Sequence, residues 1–148
     1  MMRIAFVIQS HKCLVQIEHL VQRLQGSSQN HVVVISHDGT SEEVGLLSQL
    51  RGVTKAFSAV GGRGSFGLVD GFLKSLRWLY ENEIEYDWLV MMSGQDYLVR
   101  PLADLEFKLS SSHKDGYYYH FRADDLDEAT SGIMSWPLKE SRDRYYFQ

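Results

Sequence analysis

Four short apolar runs punctuate this chain, and each is separated from the next by a stretch whose apolar residues recur at helical spacing. Residues 3–10 read Arg-Ile-Ala-Phe-Val-Ile-Gln-Ser, residues 31–36 carry Val-Val-Val-Ile, residues 53–60 form a weaker run, and residues 88–92 read Trp-Leu-Val-Met-Met. An apolar run without alternation is the pattern of a strand buried on both faces, which occurs chiefly in parallel sheets covered by helices. Between the runs, Leu14, Ile17, Leu20, Val21 and Leu24 lead up to Gly26, a natural helix stop. Val44, Leu47 and Leu50 follow Ser41, the expected cap of a second helix. Phe66, Val69, Phe72, Leu73, Leu76 and Leu79 make the longest helix, and Pro101 suits the first residue of a fourth, with Leu102, Leu105 and Leu109 inward. The aromatic residues 116–121 read as a fifth strand. The order β-α-β-α-β-α-β-α-β calls for an α/β fold with a mostly parallel sheet, right-handed crossovers and helices on both faces: a Rossmann-like, three-layer α/β/α architecture.

At 148 residues the chain fits a single domain, 1–148. Regular patterning covers 1–121, while 122–148 reads as an irregular tail that is acidic and unpatterned at Ala-Asp-Asp-Leu-Asp-Glu. The last residues, Arg-Asp-Arg-Tyr-Tyr-Phe-Gln, look like a strand cut off at its edge, so a domain truncated at its C-terminus is expected. Exposure of Tyr145, Tyr146 and Phe147 would then favour self-association. A net charge of -4 lacks the basic footprint of a nucleic-acid or anionic-membrane binder. The single cysteine, Cys13 at the head of the first helix, excludes an internal disulfide and an all-Cys metal site and suits a reducing compartment. No apolar run reaches the roughly 18 residues of a membrane span, and no signal-peptide pattern leads the chain, so a cytoplasmic location is expected.

In open α/β sheets, ligands bind just outside the carboxyl ends of the strands. The run at residues 88–92 ends in Ser93-Gly94-Gln95-Asp96, a small, polar, acidic tip in the expected place. Gly62-Arg63-Gly64-Ser65-Phe66-Gly67 matches the dinucleotide fingerprint in form. It stands at the third strand-helix turn rather than the first, however, and no acidic residue closes the following strand for a ribose, so a ligand-facing loop is the better reading. An NAD-type oxidoreductase would rest on Gly62, Gly64 and Gly67 alone. Asp124, Asp125, Asp127 and Glu128 offer hard oxygen ligands but read as a solvated loop or a helix start. His11 and His37 stand at the ends of two strands expected to be neighbours, where hydrogen bonding at a strand end is the expected role.

Four blocks at these junctions, Ile4-Ala-Phe-Val-Ile-Gln-Ser-His-Lys12, Val33-Val-Ile-Ser-His-Asp38, Ser65-Phe66 entering the long helix, and Leu89-Val-Met-Met-Ser-Gly-Gln-Asp-Tyr97, resemble the N-terminal half of the core-2/I-branching β-1,6-N-acetylglucosaminyltransferase family, which also contains peptide O-xylosyltransferases. The resemblance covers about residues 3–110. It implies a GT-A-type fold whose first half binds the nucleotide of a UDP-sugar, and an inverting transfer of a sugar such as GlcNAc or xylose to a hydroxyl acceptor without a metal or other cofactor. By position it implies Gln9 and Ser10 at the edge of a uracil pocket and Asp38 on the uracil or ribose. It also implies the Arg63 loop closing over the nucleotide, Ser93 and Gln95 at the donor site, and Asp96 beneath the donor sugar or ordering the loop under it. The sequence departs from the family at Leu98, where Pro is usual, at Phe66, where Trp is usual, and in the glycines before it. The family's catalytic base, a Glu, and its diphosphate-binding basic residues belong to the C-terminal half, and nothing past Phe121 matches them. A catalytic base is therefore expected outside this chain. The alternative is a non-catalytic nucleotide-binding or protein-interaction domain on the same scaffold.

Overall fold

The structure, a computed structural model, describes residues 2–25, 30–61 and 66–118. The chain divides into two compact units, Met1–Ser112 and His113–Gln148. All eight described elements belong to the first: β1 (Ile4–Ser10), α1 (Leu14–Gln25), β2 (Val32–His37), α2 (Ser41–Gln49), β3 (Lys55–Ser58), α3 (Gly67–Glu81), β4 (Trp88–Ser93) and α4 (Leu102–Ser110). In the second unit, residues 113–118 carry neither helix nor strand. The strand expected over 116–121 is thus absent from its first three residues, and its remainder, like the tail from 122 and the Asp124 cluster, lies outside the described residues.

The four strands pair in the order β3-β2-β1-β4, all parallel. This is a Rossmann-like α/β sheet, as the alternation of runs predicts. Ile4, Phe6 and Ile8 point into a cluster with α1, α2 and α4 residues such as Ile17, Leu20, Leu47 and Leu102. Ala5 and Val7 point the opposite way, into a cluster with Val32, Val34 and Leu79 of α3. β1 is therefore apolar on both sides because helices cover both of its faces.

β4 departs from its expected place. Its five apolar residues predict a strand buried on both faces, yet among the described strands it forms an edge, and Met91 is 52% exposed. Trp88, Val90 and Met92 pack against the α1 and α4 cluster. On the other face α3 lies over β2 and β1, which leaves Met91 uncovered.

Local corrections have simple causes. α2 is capped by Thr40 and not by Ser41, because Glu43 stands three residues after Thr40 and closes a capping box with it. Thr40 N and Oγ1 both donate to Glu43 Oε2, at 2.7 and 3.0 Å, while Glu43 N donates to Thr40 Oγ1. Pro101 takes the cap position and Leu102 is the first helical residue of α4. Cys13 precedes α1 with φ of 58°, and its carbonyl accepts from Gln16 N and Ile17 N, so it serves the helix start through its backbone. No helix among the described residues is long and apolar enough to cross a membrane.

At the N-terminal end of the sheet, His31 closes the structure. Its Nδ1 accepts from Ile4 N at 3.1 Å, Nε2 donates to Glu106 Oε1 at 3.0 Å, and the ring meets Phe6 edge-on at 5.6 Å. One buried side chain thereby joins β1, the entry to β2, and α4.

Candidate functional site

The site begins with a change of polarity that all the long strands make at one level. Ile8 is flanked by Ile35 and Met92, but one residue further on Gln9 is flanked by Ser36 and Ser93. At the next position Ser10 is paired with His37, which is paired with Ser58. The sheet thus ends in two polar rows, one on each face. β2 and β4 lie on opposite sides of β1, so the chain reverses its direction of travel across the sheet here, the place where open α/β sheets bind ligands.

A cleft of about 740 Å³ opens above these rows. Gln9, Ser10, Asp38, Ser93 and Gln95 line it, with Leu68, Phe72 and Met92 supplying apolar surface. Among the described lining residues Asp38 is the only carboxylate, and none is a Lys or Arg. Five of the seven site residues singled out in the sequence therefore meet at one cavity. Asp96 does not line it. Its carboxylate accepts from Ser93 N at 2.8 Å and its own N–H donates to Ser93 O at 3.0 Å, so it orders the turn that presents Ser93 and Gln95. Arg63, with the rest of the Gly-rich loop at 62–65, lies outside the described residues.

Close packing fixes the cleft's floor. Gln9 Nε2 donates to Leu68 O at 2.6 Å, tying the end of β1 to the first turn of α3. α3 approaches this closely because Gly71 has no side chain: a Cβ there would stand 2.6 Å from Ser36 Oγ and 2.9 Å from Gln9 Nε2. Gly94 N donates to Gln9 O at 2.7 Å, and a Cβ on Gly94 would lie 2.6 Å from Ser10 Cβ, so the tip after β4 rests directly on β1. Asp38 N donates to Ser10 O at 2.8 Å. The Asp38 carboxylate abuts Gly61, where any side chain would collide with it.

Behind Ser10 lies His37, fully buried, with Nδ1 2.8 Å from Ser10 Oγ and Nε2 without a hydrogen-bond partner. Glu43 Oε2 is 3.9 Å from that Nε2. Burial pushes the His37 pKa below the ordinary histidine value, against the opposing pull of Glu43 and Asp38. The Glu43 carboxyl is held below its usual range by the Thr40 backbone N–H and then the Thr40 hydroxyl. Ser36 Oγ is likewise buried and unpartnered. Among the described residues no group of three or more His, Cys, Asp or Glu could hold a metal ion.

The sequence reading missed Gly71, the Leu68 carbonyl and the pairing of Ser10 with His37. That pairing had a signal: Gln9-Ser10 and Ser36-His37 are the first polar pairs after two apolar runs, and aligning those ends gives the register found. Gly71 had none, since a glycine inside a helical pattern looks like a simple loss of propensity.

Fold and site together define a parallel α/β protein with a ligand-sized cleft at the switch point of its sheet. Compared with protein-family models and with curated protein sequences, the chain gives no significant match.

Proposed function

We propose that this chain is the UDP-sugar-binding part of a glycosyltransferase with a GT-A-type, three-layer fold, acting by inversion and without a metal. The supporting observation is the convergence of Gln9, Ser10, Asp38, Ser93 and Gln95 on one cleft at the carboxyl edge of the sheet, beside an apolar wall of Leu68, Phe72 and Met92. A planar base takes the apolar wall, while hydroxyl and imide groups take the polar rows. Asp38 is the acceptor for base or ribose donors, and Gln9, Ser10, Ser93 and Gln95 fix orientation. An inverting transfer also needs a carboxylate to deprotonate the acceptor hydroxyl and positive charge to stabilise the departing nucleotide. Neither role is assigned to a described residue.

Calorimetry with UDP and with UDP-GlcNAc, each with and without Mg²⁺, tests this. The expected result is binding of both, indifferent to Mg²⁺ and weakened at least about tenfold by Asp38→Ala, the scale of a charge-assisted hydrogen bond. Absence of binding to the wild-type protein, or binding unchanged by Asp38→Ala, would remove the reading. Nucleotide binding in a protein whose full native chain transfers no sugar would assign it to the non-catalytic class instead.

A further inference from the structure

Ser10 is the lining residue whose hydrogen-bonding role is decided by a group the ligand cannot reach. Its hydroxyl has one proton to give and two lone pairs to offer. The proton's direction depends on His37, whose Nδ1 lies 2.8 Å away with both partners buried. His37 in turn has two neutral tautomers, and the surroundings of Nε2 choose between them.

Those surroundings are negative. Glu43 Oε2 stands 3.9 Å from His37 Nε2, clamped by the Thr40 N–H and hydroxyl at 2.7 and 3.0 Å. Gly39 keeps the gap open, since a Cβ there would collide with His37 Nε2 and reach within 2.6 Å of Glu43 Oε2. A bare Nε2 lone pair would face this carboxylate across a space that supplies it no donor. An N–H on Nε2 would instead point its positive end toward the carboxylate. The proton therefore belongs on Nε2, and Nδ1 is left as an acceptor.

We infer that His37 consumes the Ser10 hydroxyl proton, so that Ser10 faces the cleft as a hydrogen-bond acceptor and selects a ligand carrying an N–H or O–H donor at that point. His37 is thus a positioning residue for specificity: it touches no ligand and sets the polarity of one that does. Register supports the assignment, because Asp38 N bonded to Ser10 O and Ala59 N bonded to His37 O hold both residues in line at the strand ends. On the uridine reading above, on which the ligand side of this inference rests, the donor is the imide N–H of the base or a ribose hydroxyl.

Two measurements test it. The first needs no ligand. Long-range ¹H–¹⁵N correlation of the histidine rings at pH 7.5 reads the His37 tautomer, assigned by the signal lost in His37→Gln or, should that variant not fold, by the signal shifted in Ser10→Ala. The Nε2–H form is expected, and the Nδ1–H form would overturn the inference whether or not any nucleotide binds.

The second uses UDP, N3-methyl-UDP, 2′-deoxy-UDP and 3′-deoxy-UDP in calorimetry. Ser10→Ala should weaken UDP by about 2- to 10-fold, the scale of one hydrogen bond. The analogue lacking the donor that meets Ser10 should bind wild type and Ser10→Ala equally, which distinguishes imide from hydroxyl. If all three analogues lose as much on Ser10→Ala as UDP does, the acceptor role is wrong. If wild-type protein binds no UDP, the uridine reading falls, and the tautomer alone decides whether Ser10 is an acceptor.

Discussion

The two ends of the sheet treat their buried histidines in opposite ways. His31, at the N-terminal end, uses both ring nitrogens, one on Ile4 N and one on Glu106, and its ring makes a T-shaped contact with Phe6. His37, at the C-terminal end, is buried as completely yet uses one nitrogen, and the neighbouring Ser36 Oγ has no partner at all. Buried polar atoms are nearly always satisfied, because leaving one unpaired costs about 1–3 kcal/mol. The closed end behaves as a fastener, whereas the open end keeps unspent polarity beside a cleft. Stability and ligand recognition are thereby separated along the length of the same strands.

Substitutions at the two ends sharpen or break this contrast. The largest stability loss is expected for His31→Leu, which removes two hydrogen bonds and strands the Ile4 N–H: about 3 kcal/mol, read as a lower denaturation midpoint. A loss below about 1 kcal/mol would show that the N-terminal end is not fastened there. Gly71→Val follows, at about 1–3 kcal/mol, because its side chain must displace Ser36, Gln9 or α3 itself. This variant should also lose ligand affinity, unlike any at the closed end. Thr40→Ala removes the cap of α2 and is expected to cost about 1 kcal/mol in denaturant unfolding.

A smaller effect at the C-terminal end depends on pH. The His37 pKa is lowered in the folded protein, chiefly by burial. Between that lowered value and the ordinary one of about 6.5, the unfolded chain binds more protons, so stability falls as pH drops through this window and is full above it. Glu43, also lowered, adds a second loss at more acid pH, below the ordinary carboxyl value of about 4.3. Denaturant midpoints at pH 7.5 and 5.5 should differ in the wild type and converge in His37→Gln. The smallest stability effect belongs to Asp38→Ala, within about 0.5 kcal/mol, although its expected effect on nucleotide affinity is the greatest.

Much of this was legible in the chain because periodicity records burial. The runs Ile4 to Ile8 and Val32 to Ile35 are apolar throughout since helices cover both faces of β1 and β2, and the helices between them follow from residues such as Ile17, Leu20 and Leu24. The tip Ser93 to Asp96 was legible as a strand end, whereas Gln9, Ser10 and Asp38 were gathered beside it by the family resemblance of the neighbouring strand ends, and Gln9, Ser10, Asp38, Ser93 and Gln95 line one cleft. The first two strands were expected as neighbours and pair as such, but the place of β4 in the order was not legible, because an apolar run states how much of a strand is covered and not which strand lies beside it. β4 shows this, with its Met91 face open despite an interior-type sequence. Tight approaches such as Gly71 over Ser36 escape notice for another reason: they depend on what is missing from a side chain, and their partners lie in other elements.

The placing of β1 beside β4 has a consequence for how the chain acquires its form. Arg3 N donates to Asp87 Oδ2 at 2.6 Å and Asp87 N donates to Arg3 O at 2.8 Å, and from this clasp Ile4 pairs with Trp88 and each following residue with its counterpart. The partners stand 84 positions apart. On a ribosome β1 must therefore wait, one edge unpaired, until β4 has been made. Contacts of such long sequence separation slow folding, so the rate-limiting event expected in refolding is the arrival of β4 at β1, and substitutions at Asp87 should alter the folding rate more than the unfolding rate.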